Sequence, residues 1–306
     1  MRMLLITLSL TAMLSCEHKS LCYEDHGGNL FVDFDWSESH TRSEALAEGM
    51  RLYFYPESGG EPIVNNLSAD GQGVDIPVGS YYVVSFNNDT QSHLWRGAES
   101  LASLECYTRE ADIIENSSVA SPSPPVDGES VRLAPETMWS VREYYLQVGE
   151  GSDTLILQPQ VATSYVSFEL VGVENTEYIT MAYGALSGVA ASHFVASGAS
   201  STESATIAMA ASVDDSGAVV GECVHFGCLD VAGDGYLFTI YLYSSGGGFS
   251  ASFDVSDEFA KAADPTDVHL VLESDLVITQ SSDSADGGGF SPGVSDWESS
   301  SGSIVL

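Results

Sequence analysis

Apolar and polar residues alternate with a period of two along most of this chain. In Leu30-Phe31-Val32-Asp33-Phe34-Asp35-Trp36, the set Leu30, Val32, Phe34 and Trp36 falls on one face, and Asp33 and Asp35 fall on the other. That pattern predicts an antiparallel strand buried on one side. Similar runs predict strands at 52–55, 81–86, 139–148, 155–157, 166–170, 207–211, 236–243, 249–255, 268–272 and 276–278. Clusters of Gly, Asn, Asp and Ser at 87–89, 214–217, 233–235 and 246–248 separate them as turns. Helical signal is confined to two places. Residues 43–50 have room for two turns, and 256–262 reads as a capped turn with Ser256 as N-cap, acids first and Pro265 as the stop. Many short strands with regular turns predict an all-β chain of sandwiches or barrels.

The stretch 116–130, rich in Ser and Pro, predicts an exposed loop. A strand ends at Pro159 and alternation restarts at Val161. This divides the chain into two β-sandwich domains, 28–159 and 160–306.

The first residues do not alternate. Arg2 precedes an apolar run, Met3 to Leu14, that is too short for the roughly 20 residues of a membrane span. A cationic start, a short apolar run and small Ser15 predict a signal peptide over 1–15. Met13-Leu14-Ser15-Cys16 resembles a bacterial lipobox, in which the Cys becomes the acylated first residue of the mature chain. Cys16 is therefore the predicted lipidation site and 16–27 the tether. Acyl chains contribute about 0.8 kcal/mol per buried methylene to membrane attachment. No later stretch approaches 18 apolar residues.

Charge narrows the partners. Asp and Glu number 44 against 9 Lys and Arg, a formal charge of −35, and loss of the signal peptide removes only Arg2. Such a surface repels phosphate backbones and anionic headgroups, which excludes nucleic acid and a polybasic membrane contact.

Motifs for chemistry are scarce. There is no Gly-x-Ser-x-Gly elbow, His-Glu-x-x-His or P-loop. Ser187, one position off an elbow in Gly184–Gly188, reads as a turn serine. The histidines are scattered, and the acids are too many to single out a glycosidase pair. Asp230–Gly235 lacks the middle ligand of a calcium loop. His18, Cys22 and His26 are spaced four apart but fall in the tether. Cys223 and Cys228 would lie about 16 Å apart on one strand, against the 7 Å or so of a bridged pair, so a local disulfide needs a turn at Gly227. Zinc at Cys223, His225 and Cys228 lacks a fourth ligand. Buried free thiols are the expectation, and no enzyme activity, cofactor or metal is predicted. Asp153-Thr154-Leu155 and Asp283-Ser284-Ala285 resemble the short O-glycosylation sequon of Bacteroides-type bacteria.

An ordered set of motifs carries a wider resemblance. Cys16–Tyr23 and Val32–Trp36 are followed by Ala185–Ala190, Phe226-Gly227, Phe253–Phe259, Gly287–Phe290 and Val294–Trp297. Together they resemble lipoproteins of the fimbrillin superfamily from Bacteroides-type bacteria. The resemblance implies two transthyretin-like sandwiches in series, held to the outer membrane by lipid on Cys16 and facing the cell surface. It implies a fimbrial anchor or accessory adhesin whose partners are fimbrial subunits. Strand addition to a sheet edge or groove is the expected mode of contact. Leu30, Val32, Phe34 and Trp36 are the candidate edge, although the same strand can simply complete its own sheet. In shaft subunits, as the resemblance implies, cleavage after a basic residue between the first two strands removes the first. Arg42 is the candidate position here, expected to stay uncut in an anchor. A surface glycan-binding lipoprotein is the competing class, with Trp95, Trp139 and Trp297 as candidate sugar platforms.

Overall fold

The computed structural model describes residues 29–39, 46–115, 119–229, 235–280, 298–301 and 303–304. Cys16, Cys22, Arg42, Trp297 and the sequon at 283–285 lie outside the described residues. Strands dominate, and the sandwich fold follows from how they are layered.

Three layers form around the first half, two of them completed by strands beyond residue 159. A three-stranded sheet sets Leu30–Phe34 between Asp153–Leu157 and Gln72–Val74. A five-stranded sheet runs in the order Gln160–Val161, Trp139–Val148, Gly79–Asn87, Gly49–Pro56, Ile63–Ser68. A four-stranded sheet orders Ala199–Ser200, Ser192–Phe194, Glu105–Tyr107 and Leu94–Arg96. The five-stranded sheet is the middle layer, and its sequence shows why. Period-two alternation puts Met50, Leu52, Phe54, Tyr81 and Val83 on one face, where they meet Leu30, Val32, Phe34, Leu155 and Leu157. The intervening residues Tyr53, Tyr55, Val84 and Phe86 pack against Leu104, Cys106 and Phe226 on the other. A strand apolar on both faces must be buried on both, and Leu-Tyr-Phe-Tyr is such a sequence.

Most of the second half, joined by Ser130–Leu133 from the first, forms one ten-stranded sheet with Phe249 and Phe253, Phe238 and Ile240, Phe168 and Leu270 in a single core. Phe168 and Phe238 lie four strands apart in the sheet, yet their ring centroids are 4.7 Å apart. The sheet is therefore rolled onto itself. Backbone at Glu298–Ser301 pairs with Gly247–Asp254, and Ser303–Ile304 pairs with Asp267–Glu273, so one short segment spans both ends of the roll.

Strands cross between the halves. Ser192–Phe194 pairs with Glu105–Tyr107, and Ser130–Leu133 lies parallel to Ala205–Ala208. Val161, where alternation restarts, pairs with Trp139 in the first half.

Several local expectations are corrected. Residues 46–48 are not helical, and a strand begins at Gly49, within the stretch read as two turns of helix. Leu276–Ile278 makes an isolated bridge, Val277 with Glu174, in place of a strand. The helix Ser256–Lys261 forms, but its cap is Val255. The Ser256 hydroxyl is taken up by Asp254 Oδ1 at 2.5 Å and by the Tyr236 N–H at 2.8 Å, so it cannot cap. Ser187 is no turn residue. It lies at an irregularity between Leu186 and Val189 in Met181–Ala190, fully buried, with its hydroxyl 2.8 Å from that of Thr206. Cys106, Cys223 and Cys228 are free thiols as expected, the first two buried and the last half-buried, with desolvation pushing Cys228 up to about 12.

Candidate functional site: a first strand held between two others

Leu30–Phe34 is the candidate edge, and the structure places it as a middle strand. On one side it runs parallel to Asp153–Leu157, with Leu30 opposite Asp153 and Phe34 opposite Leu157. On the other it runs antiparallel to Gln72–Val74. The even positions point inward: Leu30 and Phe34 are buried and Val32 is fully so. Burying three such side chains contributes about 5–8 kcal/mol at ordinary transfer energies. Phe31, at 46 % exposure, and Asp33 face out.

Polar clasps fix both ends. At the entry, the Asn29 side chain donates to the Ile76 carbonyl and accepts the Ile76 N–H. At the exit, the Asp35 N–H reaches the Leu157 carbonyl at 2.8 Å, and Gln158 Nε2 donates to Asp35 Oδ2 at 3.0 Å. That bond, with those from Ser37, holds the Asp35 carboxyl below its usual range. Ser39 Oγ then donates to the Pro159 carbonyl at 2.6 Å.

The flanking strand is short, and two devices accommodate that. Gly71, at φ +87°, lets the turn before Gln72–Val74 approach so closely that a Cβ there would lie 2.5 Å from the Val32 carbonyl oxygen. Beyond Val32 the neighbour has ended, and Asp33 Oδ1 accepts the Phe34 N–H at 3.0 Å. Trp36 leaves the strand but not the core. Its indole N–H donates to the Ala69 carbonyl at 3.1 Å, and its ring meets Trp139 edge-on at 5.5 Å. The four predicted residues thus form one inserted unit. Sequence reasoning did not find Asn29, Gly71 or Gln158, whose roles depend on partners distant in the chain.

The other candidates do not assemble. Trp139 is a core residue, and Trp95 lies over Phe86 with centroids 3.5 Å apart, so neither forms an exposed platform. His93, His193 and His225 are buried apart from any cluster of metal ligands among the described residues.

The chain matches, over residues 15–210, the family described as Domain of unknown function (DUF5119). It belongs to the DUF5119 family. A curated relative from Bacteroides ovatus, described as a candidate fimbrium anchoring subunit, Fim4B, is 23 % identical over 198 residues. The match takes in 64 % of this chain and 56 % of the relative, so it spans little more than half of that protein's length. Solved structures share the fold of this DUF5119 chain. A candidate adhesin from Bacteroides ovatus superposes with a TM-score of 0.62 at 18 % identity, covering 82 % of this chain and 92 % of that one. A protein from Bacteroides thetaiotaomicron described as a candidate polysaccharide-binding protein gives 0.53 at 12 %, covering 80 % and 90 %.

Proposed function

We propose that this DUF5119 protein is a cell-surface fimbrial anchor or accessory adhesin, tethered to the outer membrane through acylated Cys16. The observation that carries this reading is the likeness to a fimbrium anchoring subunit, and the first strand, set between two neighbours and clasped at both ends, is the element an anchor would keep. A subunit that polymerises by strand exchange gives up its first strand. An anchor keeps it, because residues 16–42 join the lipid to the sandwich and cleavage at Arg42 would release the protein. Leu30–Phe34 then fills its own groove and transmits load from the tether to the core. The description of the Bacteroides ovatus relative as a fimbrium anchoring subunit supports the same role. The function is mechanical and needs no catalysis.

Mass spectrometry of the protein taken from assembled surface structures tests this. The expected mature N-terminus is acylated Cys16, and cells lacking the protein should shed fimbriae into the medium. A mature N-terminus at Ser43 would make it a polymerising subunit, and fimbriae retained in its absence would remove the anchoring role.

A further inference from the structure

A permanently filled groove leaves open where a partner attaches. Trp139–Val148 is paired along one side with Gly79–Asn87. Among the described residues, ladder pairing on its other side ends at Ser140, opposite Gln160. Beyond that, the Glu143 N–H donates to the Ala196 carbonyl at 3.1 Å, which shows that its main chain points outward. With the two-residue period of a strand, the main-chain groups of Tyr145 and Gln147 point outward too.

This edge is uncharged and partly apolar. Tyr144-Tyr145-Leu146-Gln147-Val148 carries no charge in a chain with 17 % charged residues. Tyr144 and Tyr145 are 47 % and 50 % exposed. Tyr145 is also held in place, edge-on to Tyr82 at 5.5 Å and donating to Glu57 Oε2 at 3.1 Å. Unprotected strands of this composition invite pairing, and proteins blunt them with charge, Pro or capping groups. The Asp153–Leu157 edge shows such blunting: Asp153 Oδ1 occupies the Thr154 N–H at 2.8 Å, and Pro159 follows.

We propose that the Tyr144–Val148 edge receives an extended segment of a fimbrial subunit as an added strand. This rests on the fimbrial reading above. The occupant places apolar residues at alternate positions against Tyr144 and Leu146. It also carries Lys or Arg, because exposed Glu57, Glu143, Glu150 and Asp153 flank the edge against a single exposed cation, Arg142, on the same strand. A second copy of this chain fits poorly, since each brings a formal charge of −35.

Gln147→Pro tests it in the full-length lipoprotein, with fimbriae isolated from the same cells as the probe. Pro is tolerated on an edge strand where its missing N–H faced solvent, and it blocks strand addition there. Gln147→Ala keeps the N–H and serves as the control. The expected result is wild-type binding by Gln147→Ala and at least tenfold weaker binding by Gln147→Pro, with melting temperatures unchanged. Equal binding by all three overturns the edge. A wild-type dimer in sedimentation that Gln147→Pro abolishes also overturns the proposal, by making the occupant a second copy. Failure of the wild type itself to bind fimbriae overturns the fimbrial reading instead.

Discussion

The Asn29 side chain bonds both main-chain groups of Ile76, donating to its carbonyl at 2.5 Å and accepting its N–H at 2.8 Å. Ile76 is 2 % exposed, so no water can replace that amide. Asn29→Ala should cost about 1–3 kcal/mol, the penalty for leaving buried polar groups unmade. Thermal unfolding of the two proteins gives the comparison, and an unchanged melting temperature would contradict the clasp.

Gly71→Ala should destabilise the same site from the other side. It combines a left-handed backbone with a Cβ directed at the Val32 carbonyl. Strain of this kind costs about 1–3 kcal/mol before the clash is counted. Denaturant titration should show a lower midpoint, whereas the same change at Gly128, also at positive φ but with open space around it, should cost less.

The division at residue 159 is proposed as a covalent boundary between two units that remain joined by contacts. Glu129 accepts hydrogen bonds from the Gly188 N–H and from the Ser204 and Thr206 hydroxyls, and Glu105 accepts one from Ser192. A protease site inserted at 158–160 should give two fragments that co-migrate in gel filtration after cleavage. Separation without denaturant would show that these contacts do not hold the halves together.

Acid should weaken the protein over a defined window. Burial lowers the His193 imidazole to about 4, with the positive charge of Arg142 adding to the effect. Neither ring nitrogen has a hydrogen-bond partner. The folded form therefore binds fewer protons than the unfolded chain between about pH 6.5 and 4, and stability falls as pH drops through that range. His193→Phe should reduce the slope, leaving the share of buried His225, which is also lowered to about 4, while changing stability little at pH 8. Parallel unfolding curves at pH 8 and pH 5 decide it, and an unaltered slope would discount His193.

Much of the architecture was legible because period-two alternation survives where one face is wet. Leu30–Phe34 and Val268–Leu272 were readable in this way. Met181–Ala190 was not, because Met-Ala-Tyr-Gly-Ala-Leu-Ser-Gly-Val-Ala has small residues on a strand buried on both faces. A Cβ at Gly184 would lie 2.9 Å from the Phe238 ring, so close packing selects what β-propensity disfavours. The helix expected at 43–50 failed where it overlaps Gly49 and Met50, because Met50 is wholly buried opposite Asn87 and Leu67 and tertiary pairing overrides local preference. The candidate strand was visible in sequence, but its being held on both sides was not. Its neighbours come from two distant stretches of the chain, and alternation records which face is buried without naming the partner.

The parallel pairing of Leu30–Phe34 with Asp153–Leu157 also sets an order of events. Ser39 and Pro159, joined at the exit clasp, are 120 residues apart in the chain. The first strand has no parallel partner until residue 157 has been made and delivered, and closing so long a loop is slow. The earliest part of the sandwich to emerge thus has only Gln72–Val74 to pair with until Asp153–Leu157 arrives. Until then the hydrophobic seam of the first half stands open beside a strand that has not yet docked.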